Sequence, residues 1–267
     1  MHVFGAVIGD IVGSRYEFAN HRSKDFALFD MRCSFTDDSL MTIAVAEALT
    51  KCGSGSDKEL ADATIASMRR IAAAYPDSGW GTMFSNWLFG KGDPAPYNSF
   101  GNGAAMRVSP VGWYAKTEDE VRRLSRIVTG VSHNHPEGLK GAECTAMAVF
   151  DALGGKNKRE ILERAALYYP ELPNISCDEL RKTYLFDESC MGTVPQAFAC
   201  FAEGQDFEDV LRNAISVGGD SDTLAAIACS VADAFYGVPE RIEYVAEMYL
   251  TDDLKKLMSE FFDRIGR

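Results

Sequence analysis

The stretch that most constrains this chain is Val217–Tyr236, VGGDSDTLAAIACSVADAFY. It opens on two glycines, places Asp220, Asp222 and Thr223 within four positions, and runs into an alanine-rich apolar helix. Leu224, Ile227, Ala228, Val231 and Phe235 recur on one helical face, while Ala225, Ala226, Ala232 and Ala234 keep the rest narrow. So slim a helix suits the middle of a bundle, where its acidic start is pressed against other helices rather than water. One carboxylate at a helix N-terminus gains only ~0.3–1 kcal/mol from the dipole. Two Asp and a Thr on a Gly-Gly turn exceed what a cap needs.

A second stretch carries the same chemistry. Phe35-Thr36-Asp37-Asp38-Ser39 leads directly into LMTIAVAEAL, another apolar helix with acids at its start. Taken singly, each stretch reads equally well as a solvated N-terminal cap. If the two starts meet, Asp37, Asp38, Asp220 and Asp222 share one small volume with the hydroxyls of Thr36 and Thr223. Carboxylates that close raise one another's pKa steeply unless a cation sits between them. Carboxylate and hydroxyl oxygens are hard ligands, which points to Mg²⁺, Mn²⁺ or Ca²⁺ rather than zinc. Neither half has the spacing of an EF-hand loop.

Composition narrows the class. A formal net charge of −12 argues against nonspecific binding to nucleic acid or to an anionic membrane. A negatively charged small substrate stays open, because a bound cation and helix N-termini reverse the local sign. The cysteines at 33, 52, 144, 177, 190, 200 and 229 are odd in number, scattered and free of any C-x-x-C pair. That argues against a disulfide framework or a zinc ribbon and for a reducing, cytoplasmic compartment. The apolar start MHVFGAVIGDIVGS lacks a basic n-region and carries Asp10, so it does not read as a signal peptide. No stretch approaches eighteen uninterrupted apolar residues, and no membrane span is expected.

Period-two alternation is almost absent, and no β-branched run is bounded by hairpin turns. The chain reads as all-α, one domain over 1–267, with roughly a dozen helices. Val3–Val12 is a short apolar helix tightened by Gly5, Gly9 and Gly13, followed by a polar, irregular stretch, SRYEFANHRSKDF, long enough to be a flap. Asp57 is the expected N-cap of the helix after KCGSGSDK, and Pro110 is expected to kink or split AAMRVSPVGWYA. YPELPNIS reads as loop, Asp178–Phe186 as an amphipathic helix, and Arg241–Ile265 as one closing helix.

Further candidates lie outside the acidic helix starts. Ser99, Gly101, Asn102, Gly103 and Ala104 precede a helix, and amides bared by small residues there suit a phosphate or diphosphate. Taken alone, those residues read more readily as an ordinary glycine-rich loop with an Asn cap. His133 and His135 sit before a helix with no third soft ligand nearby, so a hydrogen-bonding role is preferred over zinc. Glu17, in the polar stretch, is a candidate general acid or base, although a lone Glu in a polar loop is more commonly just solvated. Asp10, inside an apolar helix, needs a partner and is read as support for a metal ligand or a metal-bound water.

Laid out in order, GAVIGDIVGSRYEF, FTDDSLMTIAVAEAL, SFGNGAAMRVSPVG, SHNHPEG and AISVGGDSDTLAAIACSVADAFYG resemble the ADP-ribosylglycohydrolase family, which includes the dinitrogenase reductase-activating glycohydrolases. The resemblance runs from Gly5 to Gly237. It implies an orthogonal all-helical bundle with a binuclear site for two Mg²⁺ (or Mn²⁺). By position, Thr36, Asp37, Asp38, Asp220, Asp222 and Thr223 would be the ligands. Glu17 would be the acid/base, with Asp37 and Asp222 beside it in catalysis. Ser99, Gly101, Asn102 and Gly103 would cradle the diphosphate, and His133 would sit at the ribose or adenosine end. The implied reaction is hydrolysis at C1″ of the distal ribose of an ADP-ribosyl adduct, on a modified protein or a small ADP-ribosyl substrate, by a monomer. Hydrolysis of free derivatives such as O-acetyl-ADP-ribose, or non-catalytic ADP-ribose binding, are the alternatives. The GSRYE form of the loop leans toward the O-linked branch. The stretch between Leu153 and Cys190 carries no recognisable motif and is assigned to the substrate entrance.

Overall fold

In the computed structural model, which describes residues 2–266, the chain is helical throughout, with no strand among the described residues beyond one isolated bridge between Gly101 and Ser189. The helices are α1 (Gly5–Gly13), α2 (Asp37–Cys52), α3 (Asp57–Ala74), α4 (Thr82–Phe89) and α5 (Gly103–Met106). There follow α6 (Ser109–Tyr114), α7 (Glu118–Gly130), α8 (Pro136–Leu153), α9 (Lys158–Tyr168) and α10 (Cys177–Thr183). The last are α11 (Cys190–Glu203), α12 (Phe207–Ser216), α13 (Ser221–Tyr236), α14 (Glu240–Glu247) and α15 (Asp252–Ile265). Short 3₁₀ turns occupy Ser14–Tyr16 and Leu172–Asn174.

The slim helix is central, as its composition requires. In α13 every residue from Ser221 to Asp233 is buried, and α1, α8, α11 and α12 pack around it. The closest approach is to α1. Gly5, Gly9 and Gly13, four residues apart, lie on one face, and a Cβ on any of them would run into Cys229, Ala225 and Asp222 respectively. Without those glycines the two backbones could not touch. Their contact sets the height of Asp222 against the end of α1.

Several local expectations need correction. The N-cap of α3 is Ser56, not Asp57; its hydroxyl accepts from the Glu59 amide while Glu59 reaches back, a reciprocal capping box. Pro110 does split its segment, as expected: α5 ends at Met106, and Pro110, which has no N–H to donate, is the second residue of α6. The Pro-rich loop contains a 3₁₀ turn. Asp178–Phe186 is helical only to Thr183, which releases Phe186 and the residues after it. The closing segment is two helices, because Thr251 takes an extended backbone and restarts the chain on Asp252 and Asp253. The count is accordingly higher than expected, fifteen α-helices among the described residues.

Candidate functional site

The two acidic helix starts converge. Carboxylate oxygens of Asp10, Asp38 and Asp222 all lie within 4.8 Å of one another, and so do those of Glu17, Asp220 and Asp222. Asp222 belongs to both groups. Thr223 donates its hydroxyl to Asp38 across the seam at 3.2 Å. Asp37 stands outside both groups but lines the same cavity, with one carboxylate oxygen facing Gly79.

Each start is held by other parts of the chain. Asp10 reaches from α1 to the first turn of α2, accepting from the Thr36 amide at 2.8 Å, the Thr36 hydroxyl at 2.6 Å, the Ser39 amide at 3.0 Å and the Ser39 hydroxyl. Thr36 thus spends its proton on Asp10 and keeps its oxygen lone pairs. At α13 the chain turns through Gly218 and Gly219 at φ +72° and +75°, a region that favours glycine. Asn20 grips the Gly219 peptide from both sides, its amide donating to the carbonyl at 2.9 Å and its oxygen accepting from the N–H at 2.8 Å. Asn102 donates to Asp220 at 2.7 Å.

The polar stretch after α1 is strapped down rather than hanging free. Arg22 donates to the carbonyls of Leu180, Arg181, Tyr184 and Val217, gathering the C-terminal ends of α10 and α12. With Asn20, it fixes the 3₁₀ turn that delivers Glu17 over Asp220 and Asp222. Phe18, 85% exposed, stacks at 6.2 Å on Phe186 at the mouth.

Burial, and then the neighbouring carboxylates, push Asp37, Asp38 and Asp222 well above the usual range. Burial also raises Asp10 and Asp220. Burial, Asp220 and Asp10 together push Glu17 up to about 7. So many buried acids facing one another call for a cation. The residues fit one: the donors are all hard oxygens, and Asp38 Oδ1 is buried with no hydrogen-bond partner among the described residues. Divalent cations here would be held by carboxylates of Asp38, Asp220 and Asp222, with Asp37 and the threonine hydroxyls alongside. They would supply charge neutralisation and a site for water.

The same cavity, about 530 Å³, is lined by Ser99, Gly101, Asn102, Gly103 and His133 as well as by Glu17 and the acids. That volume suits a ligand the size of a dinucleotide fragment. The loop offers fewer free amides than its sequence suggests, since Gly101 N–H donates to the Ser99 hydroxyl and Asn102 N–H to the Glu188 carbonyl. His135 does not enter the site. It caps α8, accepting from the Glu137 amide at 3.1 Å.

Arg107, Phe84, Tyr97, Phe186 and Glu188 also line the cavity, although no sequence motif marks them as site residues. Phe186 and Glu188 come from the motif-free stretch, beside the loop only because Ser189 bridges Gly101, which no local pattern announces. Arg107 left a faint signal, a cation amid AAMRV.

Comparison with known proteins agrees with this architecture. A family model described as ADP-ribosylglycohydrolase matches residues 2–267. The chain is 26% identical to ADP-ribosylhydrolase ARH3 of Homo sapiens, over 94% of this chain and 89% of that protein. It is 26% identical to ADP-ribosylarginine hydrolase Tri1 of Pseudomonas putida, over 98% of this chain and 77% of that one. A solved structure titled ADP-ribosylglycohydrolase-related protein complex shares the fold, with a TM-score of 0.68 at 23% identity, covering 98% of this chain and 95% of that one. The chain belongs to the ADP-ribosylglycohydrolase family. With that family it is a hydrolase acting on ADP-ribosyl bonds. No helix among the described residues is long and apolar enough to cross a membrane.

Proposed function

We propose that this chain is a metal-dependent hydrolase that cleaves the bond at C1″ of the distal ribose in ADP-ribosyl adducts, reversing mono-ADP-ribosylation. The observation that carries this reading is the meeting of the α2 and α13 starts beneath Glu17, in the cavity that also holds the Ser99–Gly103 loop. The diphosphate would lie against that loop and His133, with the distal ribose over the acids. Two Mg²⁺ (or Mn²⁺), when bound, would fix the ribose hydroxyls and a water, which is positioning rather than stabilisation of an oxocarbenium-like state. Thr36, Asp37, Asp38, Asp220, Asp222 and Thr223 would hold them. Glu17, delivered by the strapped loop, would move the proton that leaves the water or joins the departing group. Phe18, Phe186 and Glu188 stand at the mouth, where the acceptor side of the adduct would emerge. The whole chain serves as one catalytic domain, acting as a monomer. Its seven unpaired cysteines suit a cytoplasmic setting.

The test is ADP-ribose release from arginine-linked, serine-linked and O-acetyl ADP-ribose substrates, each with Mg²⁺, Mn²⁺ or EDTA. Release that EDTA abolishes is expected, and the preferred substrate names the linkage. Release indifferent to EDTA would sink the metal reading. Metal-dependent binding of ADP-ribose without release from any substrate would sink the hydrolase reading.

A further inference from the structure

Arg107 is fully buried and makes no ion pair among the described residues, and its Nε and Nη1 have no hydrogen-bond partner among them. A guanidinium is costly to bury without a carboxylate, and burial lowers its pKa to about 10. Among the described residues its one hydrogen-bonded nitrogen is Nη2, which donates to the Ser132 hydroxyl at 2.8 Å and lies 3.2 Å from His133 Nδ1. Ser132 Oγ is itself 2.9 Å from that same Nδ1.

These contacts leave one arrangement of protons. Arginine has donors and no acceptor. A ring nitrogen facing it at hydrogen-bond distance must therefore carry a lone pair. Ser132, accepting from Arg107, has its own proton free to give, and it too can give only to an unprotonated Nδ1. The remaining ring proton sits on Nε2. Burial first, and the Arg107 charge second, hold the imidazole neutral by lowering its pKa well below the ordinary value. Tyr97, on the loop before Ser99, is the other titratable group against the ring, and Phe84 of α4 packs against it too; both meet it edge-on, at 5.6 and 5.8 Å. The plane of the ring is thus set by aromatic packing and its tautomer by Arg107 and Ser132.

The other edge is open to substrate. Nε2 makes no hydrogen bond among the described residues and looks onto Gly101 and Gly103, whose missing Cβ atoms would stand 3.5 and 3.2 Å from it. Alanine at Gly103 would crowd the donor. We propose that Arg107 is a positioning residue that, through Ser132 and His133 Nδ1, fixes His133 as a neutral Nε2–H donor to an oxygen acceptor of the ADP-ribosyl substrate. This rests on the functional reading above and deepens it. A fixed neutral donor binds a phosphate or ribose oxygen with the same hydrogen bond across the neutral pH range, without adding a mobile charge near the cations.

The test is two-bond ¹H–¹⁵N correlation on the full-length protein labelled at histidine, paired with ADP-ribose titration. Wild-type His133 should show the Nε2–H tautomer, unchanged between about pH 5.5 and 8. Arg107→Met should mix the tautomers or let the ring titrate and weaken ADP-ribose binding about tenfold, with KM rising more than kcat falls. Arg107→Lys should restore part of both. Ser132→Ala, a smaller change, serves if Arg107→Met does not fold, and should loosen the tautomer in the same direction. An Nδ1–H or doubly protonated ring in the wild type at pH 7, or an unchanged tautomer in the folded variants, overturns the proposal. Wild type that binds no ADP-ribose overturns the functional reading and the acceptor's identity with it. The tautomer readout needs no ligand and still decides what Arg107 does.

Discussion

The starts of α2 and α13 carry nearly the same residues, yet the chain holds them by opposite means. At α2 the orphan amides are satisfied by a side chain from elsewhere, Asp10, and Thr36 makes no cap of its own. At α13 the geometry comes from backbone, two left-handed glycines gripped by Asn20, and Asp220 makes no cap either. An ordinary helix such as α3 spends its N-terminal polar residues on itself, as Ser56 and Glu59 do. At α2 an imported cap leaves Asp37 and Asp38 for a ligand; at α13 a gripped turn aims Asp220 and Asp222, although Asp222 gives one carboxylate oxygen to the Thr223 amide at 3.0 Å. An acidic helix start becomes a candidate site when something outside the helix holds it.

The largest expected effect comes from removing the residue that both halves share. Asp222→Ala should lower turnover by about 10²–10³-fold or more and abolish any thermal stabilisation by Mg²⁺ or Mn²⁺. Far-UV circular dichroism should be unchanged, since the variant relieves repulsion between acids. Turnover near wild type would remove Asp222 from the site. Next is Asp10→Asn, which replaces one of two accepting oxygens by a donor facing Thr36 or Ser39. It should cost about 1–3 kcal/mol in urea unfolding and weaken metal binding by about 10–100-fold. Stability within error of wild type would mean that α2 does not depend on the imported cap.

Gly219→Ala strikes the other start, where a Cβ meets Tyr184 and the φ is left-handed. It should cost about 1–3 kcal/mol, and because the turn aims Asp220, metal affinity should fall with it. A stability loss with unaltered metal affinity would separate the turn from the site. The smallest effect is on pH dependence. Glu17 is raised from the ordinary 4.5 to about 7, so the folded state holds its proton more tightly than the unfolded chain does. Stability from this group is full below the unfolded value and declines as pH rises through about 7. EDTA-treated protein should accordingly lose melting temperature between about pH 5 and 8, and saturating Mg²⁺ should cancel the decline. A melting temperature that rises over that range would contradict the clustering of ionised acids.

Legibility varied with how local the determining interaction is. The all-helical class was readable from periodicity, because an apolar stripe repeats within a turn or two of chain. The break at Met248–Thr251 was missed because amphipathic periodicity carries across it, and the Thr-Asp-Asp restart resembles ordinary helix surface. In the site, Asp37, Asp38, Asp220 and Asp222 stood out because acids at apolar helix starts are chemically conspicuous. Asp10 stood out as a carboxylate inside an apolar helix, though not as the cap of a different one. Glu188 and Phe186 carried no signal, because their place depends on one bridge between Gly101 and Ser189.

By itself the sequence determined the helices, the slimness of α13, the four-residue glycine spacing that lets α1 lie against it, and the inventory of hard oxygen donors. These follow from side-chain size, hydropathy and propensity, which act within a turn or two of chain. Only the tertiary structure decided that the two acidic starts, about 180 residues apart, share one cavity. It alone also decided that Asp10 caps α2 and Asn20 grips the turn before α13, and that a buried arginine stands behind His133. Those relations depend on through-space distances of a few ångströms between segments far apart in the chain, set by how whole helices pack.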